Sequence, residues 1–262
     1  LAVLMGAPIV YIVCHAFKPM DELFAFPPKF IVSNPSGINF TNLFQQAAGS
    51  TVPFSRYVFN SLVVTVAVVV LSIMISTMAA FALSKMKFRL KGPMMEINNL
   101  ALMFVATAVV IPRYLTISAI GILDTWLAHI LPLIAMPVCL FLIKQFMDQV
   151  PDSLLEAAQL EGANAFTIYL KIILPMVKPA IATGAILSFQ QVWNNTETSN
   201  LFTSTESIRT LAFYMNTLSG VGTVQGQGMA AAAALIMFVP NLLLFIVSQS
   251  SVMNTMAHSG LK

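Results

Sequence analysis

From Tyr57 to Ser84 the chain carries no charged side chain at all. Backbone placed in hydrocarbon must satisfy its own N–H and C=O groups, so a run this long and apolar reads as a membrane-crossing helix. A bilayer core of about 30 Å takes roughly 20 apolar residues per helix, so this span must tilt or protrude. Comparable stretches lie near 1–17, 94–112, 124–146, 177–197 and 230–252, which makes six spans with 57–84. Composition agrees: 9% of residues are charged, against about 25% in ordinary soluble chains. The expected fold class is therefore all-α, a polytopic membrane protein with six transmembrane helices in a single transmembrane domain over 1–262. The first span opens at Leu1 without a methionine. It has no basic segment before it and no small-residue cleavage site after it, so it reads as a permanent helix whose native start is missing.

Lysine and arginine set the orientation. Lys85, Lys87, Arg89 and Lys91 crowd the short link between the second and third spans, which places that link in the cytoplasm. Lys144, Lys171, Lys178 and Lys262 then fall on the same side, and Lys18, Lys29, Arg56, Arg113 and Arg209 on the other. The net charge of +3 gives no reason to expect nucleic acid. Cys14 and Cys139 sit inside apolar spans, where thiols act as small hydrophobes. His15, His129 and His258 have no metal-ligand spacing, so no metal site is expected. No Gly-Lys pair occurs, so there is no phosphate-binding loop; if ATP drives this protein, another chain binds it.

Pro151 to Pro175, PDSLLEAAQLEGANAFTIYLKIILP, is a polar-containing hairpin between two very apolar segments. Ser153 followed by Glu156 reads as a capping box that starts a helix near Leu154. Leu155, Ala158 and Gly162 share one face at helical spacing, and Glu156, Leu160 and Ala163 the neighbouring one. Gly162 lets the chain turn, Asn164 caps a second helix from Ala165 to Leu174, and Pro175 interrupts it. A helix-turn-helix with small residues in front suits close docking against a partner.

The same stretch resembles the cytoplasmic coupling loop of permease subunits in bacterial ABC importers. That pattern runs E-A-A, three residues, G, nine residues, I-x-L-P. Glu156, Ala157, Ala158, Gly162, Ile172, Leu174 and Pro175 match every fixed position. The resemblance implies that these residues couple transport to ATP hydrolysis carried out by other subunits.

The fifth span ends in Ser188-Phe189-Gln190-Gln191-Val192-Trp193-Asn194-Asn195-Thr196-Glu197, far too polar for lipid contact. On helical spacing Gln190, Asn194 and Glu197 share a face. Amides both donate and accept, which suits hydroxyl-rich ligands, and Trp193 could stack on a sugar ring. Two readings stand at this level: a substrate-pathway lining, or hydrogen-bonding glue between helices at the outer interface. The run resembles the S-F-x-x-x-W-N of maltose-type sugar permeases but departs from it after Trp193, at Asn195 to Thr198. The Gly260-Leu261-Lys262 finish resembles their G-A-[VI]-K tail, and Phe26-Pro27-Pro28 followed by Asn34-Pro35 resembles their first external loop.

The external segment 18–56 reads as turn and extended chain, the one at 113–123 as short, and the one at 198–229 as a long, glycine-rich loop. Length and glycines make 198–229 a mobile probe more than a packed element. By the resemblance, Thr203, Gly220 and Gly222 meet an external solute-binding protein. Pro132 and Pro137 predict kinks in the fourth span.

The chain is thus identified as similar to the smaller permease subunit of maltose-type carbohydrate ABC importers. What this implies is a non-enzymatic subunit of the bacterial inner membrane, forming half of a pathway for a sugar or oligosaccharide. Its partners would be a second related permease, two cytoplasmic ATPase subunits that bind ATP and Mg, and a solute-binding protein, with no cofactor in this chain. ABC permeases for peptides, phosphate or polyamines share the hairpin and form the alternative. An ion-coupled secondary transporter would need intramembrane charges, yet only Glu96, Asp124 and Glu197 lie in or beside spans. A membrane enzyme would need a convergent acid, base or metal set, and none is present.

Overall fold

The computed structural model describes residues 2–27, 29–48, 52–104, 106–219 and 224–259. Gly220, Gly222 and the Gly260–Lys262 tail lie outside the described residues, as does Pro28. Every regular element described is helical: α1 (Ala2–Ala16), α2 (Met20–Leu23), α3 (Ile38–Ala48), α4 (Phe54–Lys85), α5 (Lys91–Met103), α6 (Val110–Ile120), α7 (Trp126–Ile134), α8 (Pro137–Asp148) and α9 (Asp152–Leu160). There follow α10 (Ala165–Ile168), a π-helical stretch (Tyr169–Ile173), α11 (Leu174–Met176), α12 (Lys178–Trp193), α13 (Glu197–Leu201), α14 (Leu211–Ser219) and α15 (Val224–Ser259). Among the described residues, α4 and α15 are each long and apolar enough to cross a membrane alone. The pairs α5 with α6, α7 with α8, and 165–176 with 178–201 reach that length only when joined, and α1 is apolar but shorter.

Packing divides the chain into two compact units, one of Leu1–Val63, Asp124–Trp126 and Trp193–Leu243, the other of Val64–Leu123, Leu127–Val192 and Leu244–Lys262. In the second unit an apolar cluster joins Ala80 and Phe81 of α4, Ile143 and Met147 of α8, Leu155 and Ala158 of α9, and Ile168, Tyr169 and Ile173 beyond it. Deeper in the same unit the Ser72 and Ser188 hydroxyls pair at 2.9 Å between α4 and α12. Gly184 permits that approach: a Cβ there would stand 3.2 Å from Ile73 Cδ1. Small residues and hydroxyl pairs are how helices associate where lipid removes the hydrophobic drive.

In the first unit Asn39 of α3 is buried and donates from Nδ2 to the carbonyls of Ala16 (3.0 Å) and Lys18 (2.8 Å), which ties α3 to the end of α1. Gly228 of α15 lies against the Asn39 side chain so closely that a Cβ would collide with it. The Glu22 carboxylate accepts the N–H groups of Ser33 (2.9 Å) and Asn34 (2.7 Å). The Ser33 bond most of all holds that carboxyl below its ordinary value.

Several expectations change. Segment 18–56 contains α2 and α3, where turn and extended chain were expected; Leu43 is fully buried and Phe17 packs on Phe40 at 5.2 Å, so a short core-facing stripe was present. The third span does not run unbroken over 94–112: α5 ends at Met103, and Pro112 falls in the first turn of α6. Proline is tolerated there because its missing N–H has no helical partner anyway. Residues 113–120 are consequently helix rather than loop, ended by Gly121 at φ +75°. The fourth span does bend, by 41° between α7 and α8, with Pro137 opening α8.

Candidate functional site

The hairpin in the second unit is built on two turns of backbone chemistry. Gly162 sits at φ +85°, in the left-handed region. Ala163 N–H bonds back to the Ala158 carbonyl (2.9 Å) and Gly162 N–H to that of Gln159 (2.9 Å), closing the end of α9. Asn164 then accepts the Thr167 N–H at 2.8 Å and opens α10, as its sequence position predicts. No atom stands within 4 Å of a Cβ placed on Gly162, so the glycine is required by its backbone angle and not by crowding.

The start of α9 differs from expectation. Its first residue is Asp152, the N-cap is Pro151 in extended geometry, and no side-chain cap forms, so Ser153 and Glu156 make no capping box. The Asp152 carboxylate accepts from Lys85 Nζ of α4 at 2.7 Å. That hydrogen bond, followed by the Lys85 charge, holds the carboxyl below its ordinary value. The break after the hairpin falls at Val177 rather than at Pro175, with an 80° bend between 165–176 and 178–201. Pro175 stands at the start of α11, directly after the π-helical stretch, where a proline is tolerated because it has no N–H to place.

The motif positions divide into two sets. Ala158 is buried, and Ile172 and Leu174 pack partly buried against the apolar cluster. Glu156, Ala157, Gly162 and Pro175 face outward. The most exposed large apolar side chains of the hairpin are two that the motif does not specify, Leu160 at 91% and Phe166 at 63% exposure. Large apolar residues next to the charged and small motif positions were the available signal for them.

The polar end of the fifth span is not a single helical face. α12 ends at Trp193, so Gln190 stands on the helix, Asn194 in the turn after it, and Glu197 opens α13. Trp193 is 5% exposed and its Nε1 donates to the Met237 carbonyl at 3.2 Å, so it anchors α15 and offers no stacking face. Asn194 is exposed and lines an open cleft of about 190 Å³ in the first unit, with Thr196, Asn216, Met215, Met237 and the Ala230–Ala234 side of α15. Asn241 Nδ2 approaches Asn194 Oδ1 at 3.4 Å.

Segment 203–210 is a fixed platform in the first unit. Thr203 is buried, with its hydroxyl on the Ser199 carbonyl at 2.9 Å. The Asp124 carboxylate accepts the N–H groups of Ser204 (2.9 Å) and Thr205 (2.8 Å). Tyr57 donates to Glu206 at 2.7 Å, and Asn60 Nδ2 to the carbonyls of Ser207 and Arg209. α14 follows with Leu211, Tyr214, Met215 and Leu218 buried, and Tyr57 stacks on Tyr214 at 4.2 Å. The expected mobile, unpacked loop is therefore corrected over 203–219: its backbone polar groups are taken up by α4 and by Asp124. Within 203–210 the outward residues are Ser204, Thr205 and Glu206.

The likeness of this all-helical chain to known proteins gives its class, a transport permease. Residues 57–251 match the family described as binding-protein-dependent transport system inner membrane component. The chain belongs to this family and is the inner-membrane component of such a transport system. It is 26% identical, over 97% of its length and 88% of the relative's, to the sulfoquinovosyl glycerol transport system permease protein SmoH of Agrobacterium fabrum. It is also 26% identical, over 97% of its length and 92% of the relative's, to the trehalose transport system permease protein SugB of Mycobacterium tuberculosis. A chain of a bacterial ABC transporter involved in the import of the acidic polysaccharide alginate shares its fold: TM-score 0.81, 21% identity, covering 95% of this chain and 91% of that one.

Proposed function

We propose that this chain is a multi-pass permease subunit of an ATP-driven importer in the bacterial plasma membrane. It forms half of the translocation pathway for a sugar or oligosaccharide. A second related permease completes the pathway, two cytoplasmic ATPase subunits bind ATP and Mg, and an external solute-binding protein delivers the substrate. The observation that carries this reading is the hairpin of 151–175 in a chain of this family. Its motif residues Ala158, Ile172 and Leu174 hold it to the protein, while Glu156, Ala157 and Gly162 with Leu160 and Phe166 present a mixed polar and apolar docking face. ATP-driven closure would press on that face and swing the helices attached to it, provided the two states bind the ATPases differently.

The carbohydrate class rests on relatives named for sulfoquinovosyl glycerol and trehalose transport. The cleft around Asn194, Thr196 and Asn216 offers amide and hydroxyl groups of the kind sugar hydroxyls pair with. Asn194, with Gln190 and Glu197 nearby in sequence, is the proposed lining of the pathway. The segment from Ser204 to Glu206, next to Thr203, is the proposed contact for the binding protein, together with Gly220 and Gly222. A phosphorylated polyol is the second reading, because a relative 28% identical over 87% of the chain is named for sn-glycerol-3-phosphate transport in Yersinia enterocolitica.

The test is purification through a tag on this chain from cells expressing the neighbouring genes, followed by uptake assays with labelled trehalose, maltose, sulfoquinovosyl glycerol and glycerol 3-phosphate. Co-eluting ATPases and uptake of one of the sugars support the reading. A chain that elutes without an ATPase, from cells whose uptake of all four is unaffected by its deletion, overturns it.

A further inference from the structure

We propose that Lys85 is a positioning residue that straps the end of α4 to the start of the coupling hairpin, so that a push on α9 is delivered to α4. Chain connectivity attaches the hairpin only to α8, before it, and to α12, after it. α4 is remote in sequence, and nothing in the hairpin motif calls for it. The proposal rests on the coupling role argued above, and adds a third helix to the lever.

The geometry at this joint is specific. The Lys85 side chain is 5% exposed, although lysine is among the residues least often buried. Its Nζ donates to the Val150 carbonyl at 2.6 Å and to Asp152 Oδ1 at 2.7 Å, gripping the two residues that flank Pro151. One residue earlier, Ser84 Oγ donates to Asp148 Oδ1 at 2.6 Å, while Lys144 Nζ holds the other oxygen of that carboxylate at 2.6 Å. Lys91 Nζ closes back on the Ser84 carbonyl at 2.9 Å. The last turn of α4 is thus bonded at three successive points, Asp148, Val150 and Asp152, along the passage from α8 into α9.

Apolar contact alone would not achieve this. Ala80 and Phe81 already pack with Leu155 and Ala158, but hydrophobic contact is non-directional and lets one helix slide on another. Charge-assisted hydrogen bonds are directional and roughly twice as strong as neutral ones. They fix where along α4 the hairpin sits. An ammonium that released Val150 would also leave a part-buried carbonyl without this partner, so slippage carries a penalty that packing does not supply.

A competing account gives Lys85 only the topological role of a cytoplasmic positive charge, which Lys87 would fill equally well. Spin labels at Met86 and Gln159, in the permease–ATPase complex with Cys14 and Cys139 replaced, separate the two by pulsed EPR with and without Mg-ATP and vanadate. The wild-type pair should give one narrow distance distribution that nucleotide leaves unchanged, since α4 and α9 move together. Lys85→Met should broaden it and make it shift by several ångströms on nucleotide binding, while Lys85→Arg restores the narrow distribution and Lys87→Met never loses it. Should Lys85→Met fail to assemble, Asp152→Ala is read in the same way and should also broaden. Distributions in Lys85→Met or Asp152→Ala as narrow and nucleotide-insensitive as wild type overturn the strap. If no ATPase joins the wild-type chain, the importer reading fails instead, and the nucleotide-free distribution of the permease still decides whether Lys85 holds the two helices together.

Discussion

The Tyr169 hydroxyl lies 2.8 Å from Thr77 Oγ1, joining the π-helical stretch of the hairpin to α4. Thr77 Oγ1 also lies 2.8 Å from the Ile73 carbonyl and 3.0 Å from that of Met74, so it has a partner of its own on α4. The Tyr169 ring packs with Phe81 at 5.4 Å. The tyrosine therefore makes one replaceable hydrogen bond and one large packing contribution.

Tyr169→Phe should lower the thermal stability of the purified chain by about 1 kcal/mol, the net worth of a hydrogen bond whose partner stays satisfied. Tyr169→Ala should lower it by about 3–5 kcal/mol, as an aromatic side chain is lost from a packed cluster. Thr77→Val combined with Tyr169→Phe should cost no more than either change alone plus a few tenths. Equal losses for Tyr169→Phe and Tyr169→Ala in a thermal-shift series would place the whole effect in the hydrogen bond and contradict the packing.

Gly162 gives a prediction in which size does not matter. Its φ of +85° penalises any L side chain, and the space around it is open. Gly162→Ala and Gly162→Leu should therefore destabilise the hairpin by the same amount, about 1–2 kcal/mol, with Gly162→Asn milder because asparagine tolerates left-handed backbone. Hydrogen exchange of the Ala163 amide, which closes the turn onto Ala158, reports it directly. A much larger loss of ATPase binding for Gly162→Leu than for Gly162→Ala, at equal exchange, would locate the partner's surface against the turn.

Local signals made the turn legible. A glycine at a left-handed position and an asparagine three residues before the N–H it accepts are decided within a few bonds of backbone, and both were read correctly. The capping box at Ser153 was not: the helix starts at Asp152, two residues sooner than a cap at Ser153 allows, and Asp152 pairs with Lys85, remote in sequence. The same limit applies to α3 and α14. Each is short, and the partners that make its stripe a core, such as Tyr57 for Tyr214, come from elsewhere in the chain. The single face drawn through Gln190, Asn194 and Glu197 failed for another reason. Helical spacing assumes the helix continues, and α12 stops at Trp193. Apolar length made the long helices α4 and α15 legible, and the prolines of the fourth span its bend, but not the break after Met103, since Pro112 can close one helix or open the next.

Asp124 supplies a pH dependence. Bonds from the Thr205 hydroxyl and N–H, and then from Ser204, bring its carboxyl from an ordinary 3.8 down to about 2. A depressed folded value means the carboxylate stabilises the platform fully above about 3.8 and loses that contribution as pH falls toward 2. Protection of the Ser204 and Thr205 amides, corrected for intrinsic exchange, should be level from pH 7 to about 4 and should decline below it. Asp124→Asn keeps a residue suited to φ +57° but removes the charge, and its protection should be lower and flat across that window. An identical decline in Asp124→Asn would assign the titration to another group.

Trp193 and Asn194 are adjacent in sequence and should nevertheless fail in opposite ways. The Trp193 indole is buried and bonded to the Met237 carbonyl, which also accepts from Asn241 Nδ2 at 3.1 Å. Trp193→Phe keeps part of the ring contacts, removes the N–H and the rest of the buried indole, and leaves that carbonyl with one donor, so the loss should be about 1–3 kcal/mol. Uptake per assembled complex and the order of preference among labelled sugars should be unchanged. Asn194 faces the cleft shared with Thr196 and Asn216, where a leucine would replace an amide able to pair with a hydroxyl by an apolar group that cannot. Asn194→Leu should therefore keep assembly and thermal stability within about 0.5 kcal/mol, as for most exposed sites, while uptake falls or the sugar preference shifts. Parallel uptake and thermal-shift measurements on reconstituted complexes separate the two. Altered sugar preference in Trp193→Phe at unchanged stability would return the indole to the pathway. Wild-type uptake by Asn194→Leu would leave the cleft as packing space between α14, α15 and the turn after α12.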